Sequence, residues 1–230
     1  MPAGSRRQSG RSAIADQAEL AGTLAPLARL ALAYAPAPTR EDWLTWLGLD
    51  ARLASVVRSA REPILAQLKL AWWRDRLTGD SAAWPKGEPL LARLAGWDDR
   101  AGLTALVDGW EALLGEPPLG RGTLETFAEG RAGALATLAA QIGANPGDAA
   151  GAAQSWALAE LAVDLPDPAD RAAAARLLGE RPRLAALPRP LRPLAVLAGT
   201  TGRAARRGGA AELYRPGSFV TAVRLGLLGR

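Results

Sequence analysis

Arg61-Glu-Pro-Ile-Leu-Ala-Gln-Leu-Lys-Leu-Ala-Trp-Trp-Arg-Asp75 is the stretch on which the reading of the fold turns. Pro63 suits the first turn of a helix, where its missing N–H is no loss, and the run predicts a helix over 63–77. Ile64, Leu65, Leu68 and Trp72 share one face of that helix, and Leu70, Trp73 and Leu77 share roughly the opposite one. A helix apolar on two sides is expected between neighbours. That makes this one central and Trp72 and Trp73 core residues, with Arg74 and Asp75 pairing with each other at the rim.

Working outward, Thr39 stands where an N-cap belongs, with Glu41 and Asp42 in the following turn, where the helix dipole favours acids. The helix it opens carries Trp43, Trp46, Leu47 and Leu53 and is expected to run to about residue 60. A first helix is expected over 12–34, ending before Pro36 and Pro38. Residues 1–12 read as a disordered basic arm, and 13–230 as a single helical domain. Downstream, residues 79–89 read as a loop, followed by helices near 88–95, 98–115, 122–143 and 148–164. Pro166 and Pro168 stop the last of these, and further helical runs follow at 169–178, 188–207 and 216–228. No alternating strand pattern exceeds three or four residues, and no internal repeat is found. The expected class is all-α, in one domain.

Composition agrees. Ala and Leu dominate and β-branched residues are few, which favours helix because such side chains lose little freedom there. The 230 residues suffice for one sizeable core. The chain has no cysteine, which excludes disulfides, thiolate metal sites and cysteine nucleophiles. It has no histidine either, which removes the Ser-His-Asp triad and the commonest zinc ligand. Lys69 and Lys86 are the only lysines among the basic residues, a bias that fits a GC-rich bacterial genome. The net charge of +5 favours anionic partners without choosing among diphosphates, nucleic acid and lipid headgroups. No segment reaches the roughly 18 apolar residues of a membrane span. The start, MPAGSRRQSGRS, leads into Asp16 and Glu19 and not into an apolar signal core. A cytoplasmic location is expected, with at most peripheral contact with the inner membrane.

Several motifs invite a function and have plainer explanations. Gly115-Glu-Pro-Pro-Leu-Gly120-Arg121-Gly122 imitates a phosphate-binding loop but lacks the Lys and the Ser or Thr that do its chemistry, so it reads as an ordinary loop. Arg203, Arg206 and Arg207 form a basic cluster without the aromatics that stack bases. Closing a helix C-terminus before Gly208 and Gly209 explains it. Two carboxylates at i and i+4 lie on one helix face and can share a divalent metal. Glu125 with Glu129 and Glu160 with Asp164 have that spacing, and Asp167 and Asp170 follow the second pair. Glu125 and Glu129 read as a solvated face. The second group, amid apolar neighbours, is the less expected one.

The 61–75 stretch closely resembles the EP-x-L-x-x-(I/L)-(R/K)-L-x-WWRD run of bacterial squalene/phytoene synthase-like proteins. Arg40-Glu-Asp-Trp-Leu-Thr-Trp-Leu fits the helix before it. Thr123-Leu-Glu-Thr-Phe-Ala-Glu-Gly-Arg-Ala-Gly-Ala-Leu looks like the family's L-x-x-Y-x-x-x-x-A-G-x-L segment. Pro188-Arg-Pro-Leu-Arg-Pro-Leu-Ala-Val-Leu-Ala and Leu-Leu-Gly-Arg230 fit its C-terminal end. The resemblance implies an isoprenoid-synthase-like helical bundle around a central apolar cavity. In active members, two D-x-x-x-D helices face each other and hold a prenyl diphosphate through Mg²⁺.

This chain departs from that pattern. The first motif offers Asp50 with Ala54 four residues on; the second offers Asp164 with Pro168; and Tyr34 and Tyr214 are the only tyrosines. The resemblance thus implies a non-catalytic or strongly divergent relative that keeps the prenyl-binding scaffold, in lipid or isoprenoid binding or in assembly of a partner protein. The alternative is an active Mg²⁺-dependent head-to-head prenyl-diphosphate transferase of carotenoid, squalene or hopanoid synthesis. In that case Asp50, Asp164 and Asp167 would be the metal ligands, and Arg58 and Arg61 would lie near the diphosphate. No nucleic-acid partner is expected in either case.

Overall fold

Prolines set the helix starts along this chain. Pro26, Pro63, Pro89, Pro146, Pro168 and Pro216 each open a helix, where the fixed φ is already helical and the absent N–H would have had no partner. The computed structural model describes residues 16–85 and 87–229. Within them α1 covers 16–23, and α2 Pro26–Ala33, α3 Arg40–Arg58, α4 Pro63–Thr78, α5 Pro89–Leu94 and α6 Thr104–Ala112 follow. Then come α7 Arg121–Gln141, α8 Pro146–Asp164, α9 Pro168–Gly179, α10 Arg192–Arg207 and α11 Pro216–Leu228. No strand occurs among the described residues, and the helices share one apolar core. The fold is all-α.

Some expectations need correction. The arm at 1–12 lies outside the described residues. The single helix expected over 12–34 is, in its described part, two helices broken at 24–25, because Pro26 cannot donate into a continuing helix. Thr39 does precede α3, but its hydroxyl donates back to the Pro36 carbonyl at 3.2 Å and caps no amide of α3.

Helix α7 lies between α6 and α8, and α8 in turn packs on α9 and α10. Helices α2 and α11 cover α10. The α6–α7 crossing is unusually close. A Cβ on Gly130 would stand 2.3 Å from the Ala105 carbonyl oxygen and 2.9 Å from the Gly109 Cα, so the two backbones touch where only glycine fits. Helix α3 is tied to its neighbours through indole N–H groups: Trp46 donates to the Ala134 carbonyl of α7 at 3.1 Å and Trp43 to the Pro190 carbonyl at 2.9 Å. Trp46 also packs near Trp156 of α8, ring centroids 6.0 Å apart, which brings the middles of α3, α7 and α8 together.

Helix α4 is not central. Leu70, Trp73 and Leu77 are buried against α3 and α6, but Ile64, Leu65 and Leu68 are 57%, 52% and 62% exposed and Trp72 is 37% exposed. Periodicity reveals an apolar stripe but not whether a neighbour covers it, and among the described residues only one stripe is covered. Arg74 does not pair with Asp75. It reaches across to α6, donating to Asp108 at 3.0 Å and to Glu111 at 2.6 Å.

Candidate functional site

The middle of the bundle holds an ion cluster built on Arg131, whose side chain is fully buried. On α7 the residues Leu124, Phe127, Ala128, Arg131, Leu135 and Leu138 follow helical spacing, and all are buried. The arginine therefore occupies a core position of an apolar stripe. Its Nη2 donates to both Asp50 oxygens, at 2.9 and 3.1 Å, and its Nη1 to Glu160 Oε2 at 2.7 Å. Asp50 is on α3 and Glu160 on α8, so one guanidinium bridges two helices from a third.

Aromatic rings enclose the charge. The guanidinium carbon lies 4.1 Å from the ring centroid of Trp156, 4.8 Å from that of Phe127 and 5.5 Å from that of Trp110, distances at which ring quadrupoles attract a cation. The Nε has no hydrogen-bond acceptor among the described residues. Trp110 also donates its indole N–H to Asp50 Oδ1 at 2.8 Å. A second arginine sits toward the edge of the cluster. Arg58, at the end of α3, donates to Glu160 Oε1 at 3.0 Å and lies 3.7 Å from Asp164 Oδ2.

The two central carboxyls are driven in opposite directions. Burial pushes the Asp50 carboxyl above its usual value; Arg131 opposes that rise and the neighbouring Glu160 adds to it. Burial acts on Glu160 in the same sense, but there the Arg131 and Arg58 guanidiniums together outweigh it and hold the group below its usual value. Asp164 is raised by burial and by Glu160, against Arg58. The difference follows from geometry: Glu160 has two arginines and Asp50 has a share of one.

Of the residues singled out from sequence, the structure brings Asp50, Arg58, Glu160 and Asp164 to this cluster. It leaves out Asp167 and Arg61. Asp167 is half-buried and caps α9, its Oδ1 accepting the amides of Ala169 and Asp170 at 2.8 and 2.9 Å. It is a helix cap and not a partner of Asp164. Arg61 is exposed between α3 and α4, with no ion-pair partner among the described residues. Asp170 is buried and pins the Leu119 amide at 2.7 Å, and Glu125 pairs with Arg121 on the surface. Sequence reasoning missed Arg131. Its signal was an arginine standing at i+4 from Phe127 and i−4 from Leu135 in an otherwise apolar stripe.

The donor set does not fit Mg²⁺. That ion needs near-octahedral oxygen ligands free to coordinate. Both oxygens of Asp50 and both of Glu160 are taken by guanidinium or indole donors, and the guanidinium itself occupies the space between the two carboxylates. Among the described residues no group of three acidic side chains is arranged to hold a metal.

Comparison of the chain with protein-family models, with curated proteins and with solved structures finds no match.

Proposed function

We propose that this chain is a non-catalytic member of the squalene/phytoene synthase-like group, a helical scaffold that acts by binding an isoprenoid, a lipid or a partner protein and not by turning over a diphosphate. One observation carries the reading. Asp50 and Glu160 stand on the two helices where the resemblance expects opposed metal-binding carboxylates, and Arg131 joins them directly. A guanidinium supplies the positive charge that Mg²⁺ would supply, but it cannot exchange, take on a phosphate oxygen as a further ligand or leave with a product. The cluster is therefore suited to holding α3, α7 and α8 together.

Purified protein should release no diphosphate from farnesyl or geranylgeranyl diphosphate in the presence of Mg²⁺, while circular dichroism shows it folded and helical. Diphosphate release that stops on chelation would overturn the proposal and favour an active transferase with rearranged ligands.

A further inference from the structure

Away from the central cluster, a cleft of 660 Å³ opens between α8, α9, α10 and α11. Arg203, Arg206 and Arg207 of α10 line it, together with Arg181 and Arg183 from the segment after α9 and Arg224 from α11. Six arginines thus face one space, and no acidic side chain lines it among the described residues.

Some arginines elsewhere in the bundle are paired with acids. Arg52, Arg58, Arg74, Arg93, Arg121 and Arg215 each sit within ion-pair distance of a carboxylate. None of the six cleft arginines does so among the described residues; Arg181 donates only to the neutral Gln154 amide oxygen, at 2.8 Å. Arg203 is half-buried and its Nε lacks an acceptor. Like charges gathered without counter-charge repel one another, and a concave wall focuses their field into the space they enclose.

The lining also limits what fits. It contains no aromatic ring, so no base is stacked there. Gly199 and Gly202 keep the α10 wall low: a Cβ at Gly202 would come within 3.4 Å of Arg206 Nη1. Guanidinium forks match phosphate oxygens in pairs, and six of them exceed what one phosphate can engage.

We propose that this cleft binds a ligand carrying two or more adjacent phosphate groups, either a free oligophosphate or a multiply phosphorylated lipid headgroup. The site shares no residue with the Asp50–Arg131–Glu160 cluster, so it stands whether or not that cluster is catalytically silent.

Two binding arms separate the sources, both run on the full chain. Calorimetric titration with inorganic triphosphate tests a soluble ligand, and co-sedimentation with vesicles containing phosphatidylinositol 4,5-bisphosphate, against neutral phosphatidylcholine vesicles, tests a headgroup. Binding is expected in at least one arm. Arg206→Gln with Arg207→Gln, both exposed at the end of α10 and so compatible with the fold, should weaken it by at least about tenfold, the loss of one good charge-assisted contact. Arg29→Gln, an exposed arginine on α2, serves as the control and should leave it unchanged. Failure of both ligands to bind would overturn the proposal. So would an equal loss in the Arg29 variant, which would mark the attraction as diffuse.

Discussion

Asp50 and Arg131 are 81 positions apart in the chain and meet inside the bundle, one guanidinium nitrogen contacting both carboxylate oxygens. The contact is surrounded by Trp110, Phe127 and Trp156 and is closed to water on the Arg131 side. In such surroundings the attraction between the partners is offset by what it costs to strip them of water. The pair therefore matters less for what it adds than for what its halves would do separately.

Arg131→Met is expected to destabilise the protein by about 3–5 kcal/mol, because buried Asp50 loses its only cation and Glu160 keeps Arg58 alone. Combining it with Asp50→Asn and Glu160→Gln removes both carboxylate charges and should recover at least half of the loss. Urea unfolding of the single and triple variants measures both. A triple variant no more stable than the single one would show that the three side chains are not energetically coupled.

The two carboxyls should respond oppositely to pH. Asp50 has a folded-state value above its ordinary 3.8, so the folded protein holds this proton more tightly than the unfolded chain does. Its ionisation therefore removes stability as pH rises above 3.8. Glu160 lies below its ordinary 4.5, so its contribution is present above 4.5 and is lost as pH falls through the folded value. The destabilisation caused by Glu160→Gln should accordingly be larger at about pH 7 than at about pH 3. That caused by Asp50→Asn should be smaller at the higher pH. Denaturation midpoints of both variants against the parent across that range test the signs.

The two stripes of α4 should separate under truncation. Leu70→Ala empties a fully buried position and is expected to cost about 2–5 kcal/mol. Leu68→Ala, on the stripe that is 62% exposed, should change stability by no more than about 0.5 kcal/mol. Equal losses at the two positions would mean that α4 is covered on both faces in solution.

Most of the helical architecture was legible because its signals are local. Pro63 and Pro216 open their helices where expected, and the elements near 122–143 and 148–164 emerge as α7 and α8 within two residues at either end. Features that depend on distant parts of the chain were not legible. Ile64, Leu65 and Leu68 have the right spacing for burial, but no neighbour among the described residues covers them. Asp50 is legible only through the family pattern, whereas Glu160 and Asp164 are marked by their i, i+4 spacing as well. Asp167 follows that pair, but its position one residue before Pro168 is the better clue to its role, since that is where an N-cap belongs. Arg131 went unread because a charge in an apolar stripe gains meaning only when carboxylates arrive from α3 and α8. The arginine cleft is similar: Arg203, Arg206 and Arg207 had a sufficient explanation at a helix end until Arg181, Arg183 and Arg224 were seen beside them.

The buried guanidinium has a consequence for descent. Replacing Arg131 first strands Asp50 and leaves Glu160 with Arg58 alone, and replacing Asp50 or Glu160 first leaves the arginine short of a partner, so every single-step route through the cluster crosses a less stable intermediate. These three residues must be inherited or abandoned together. Lineages that carry this chain should therefore retain or replace Asp50, Arg131 and Glu160 as a set.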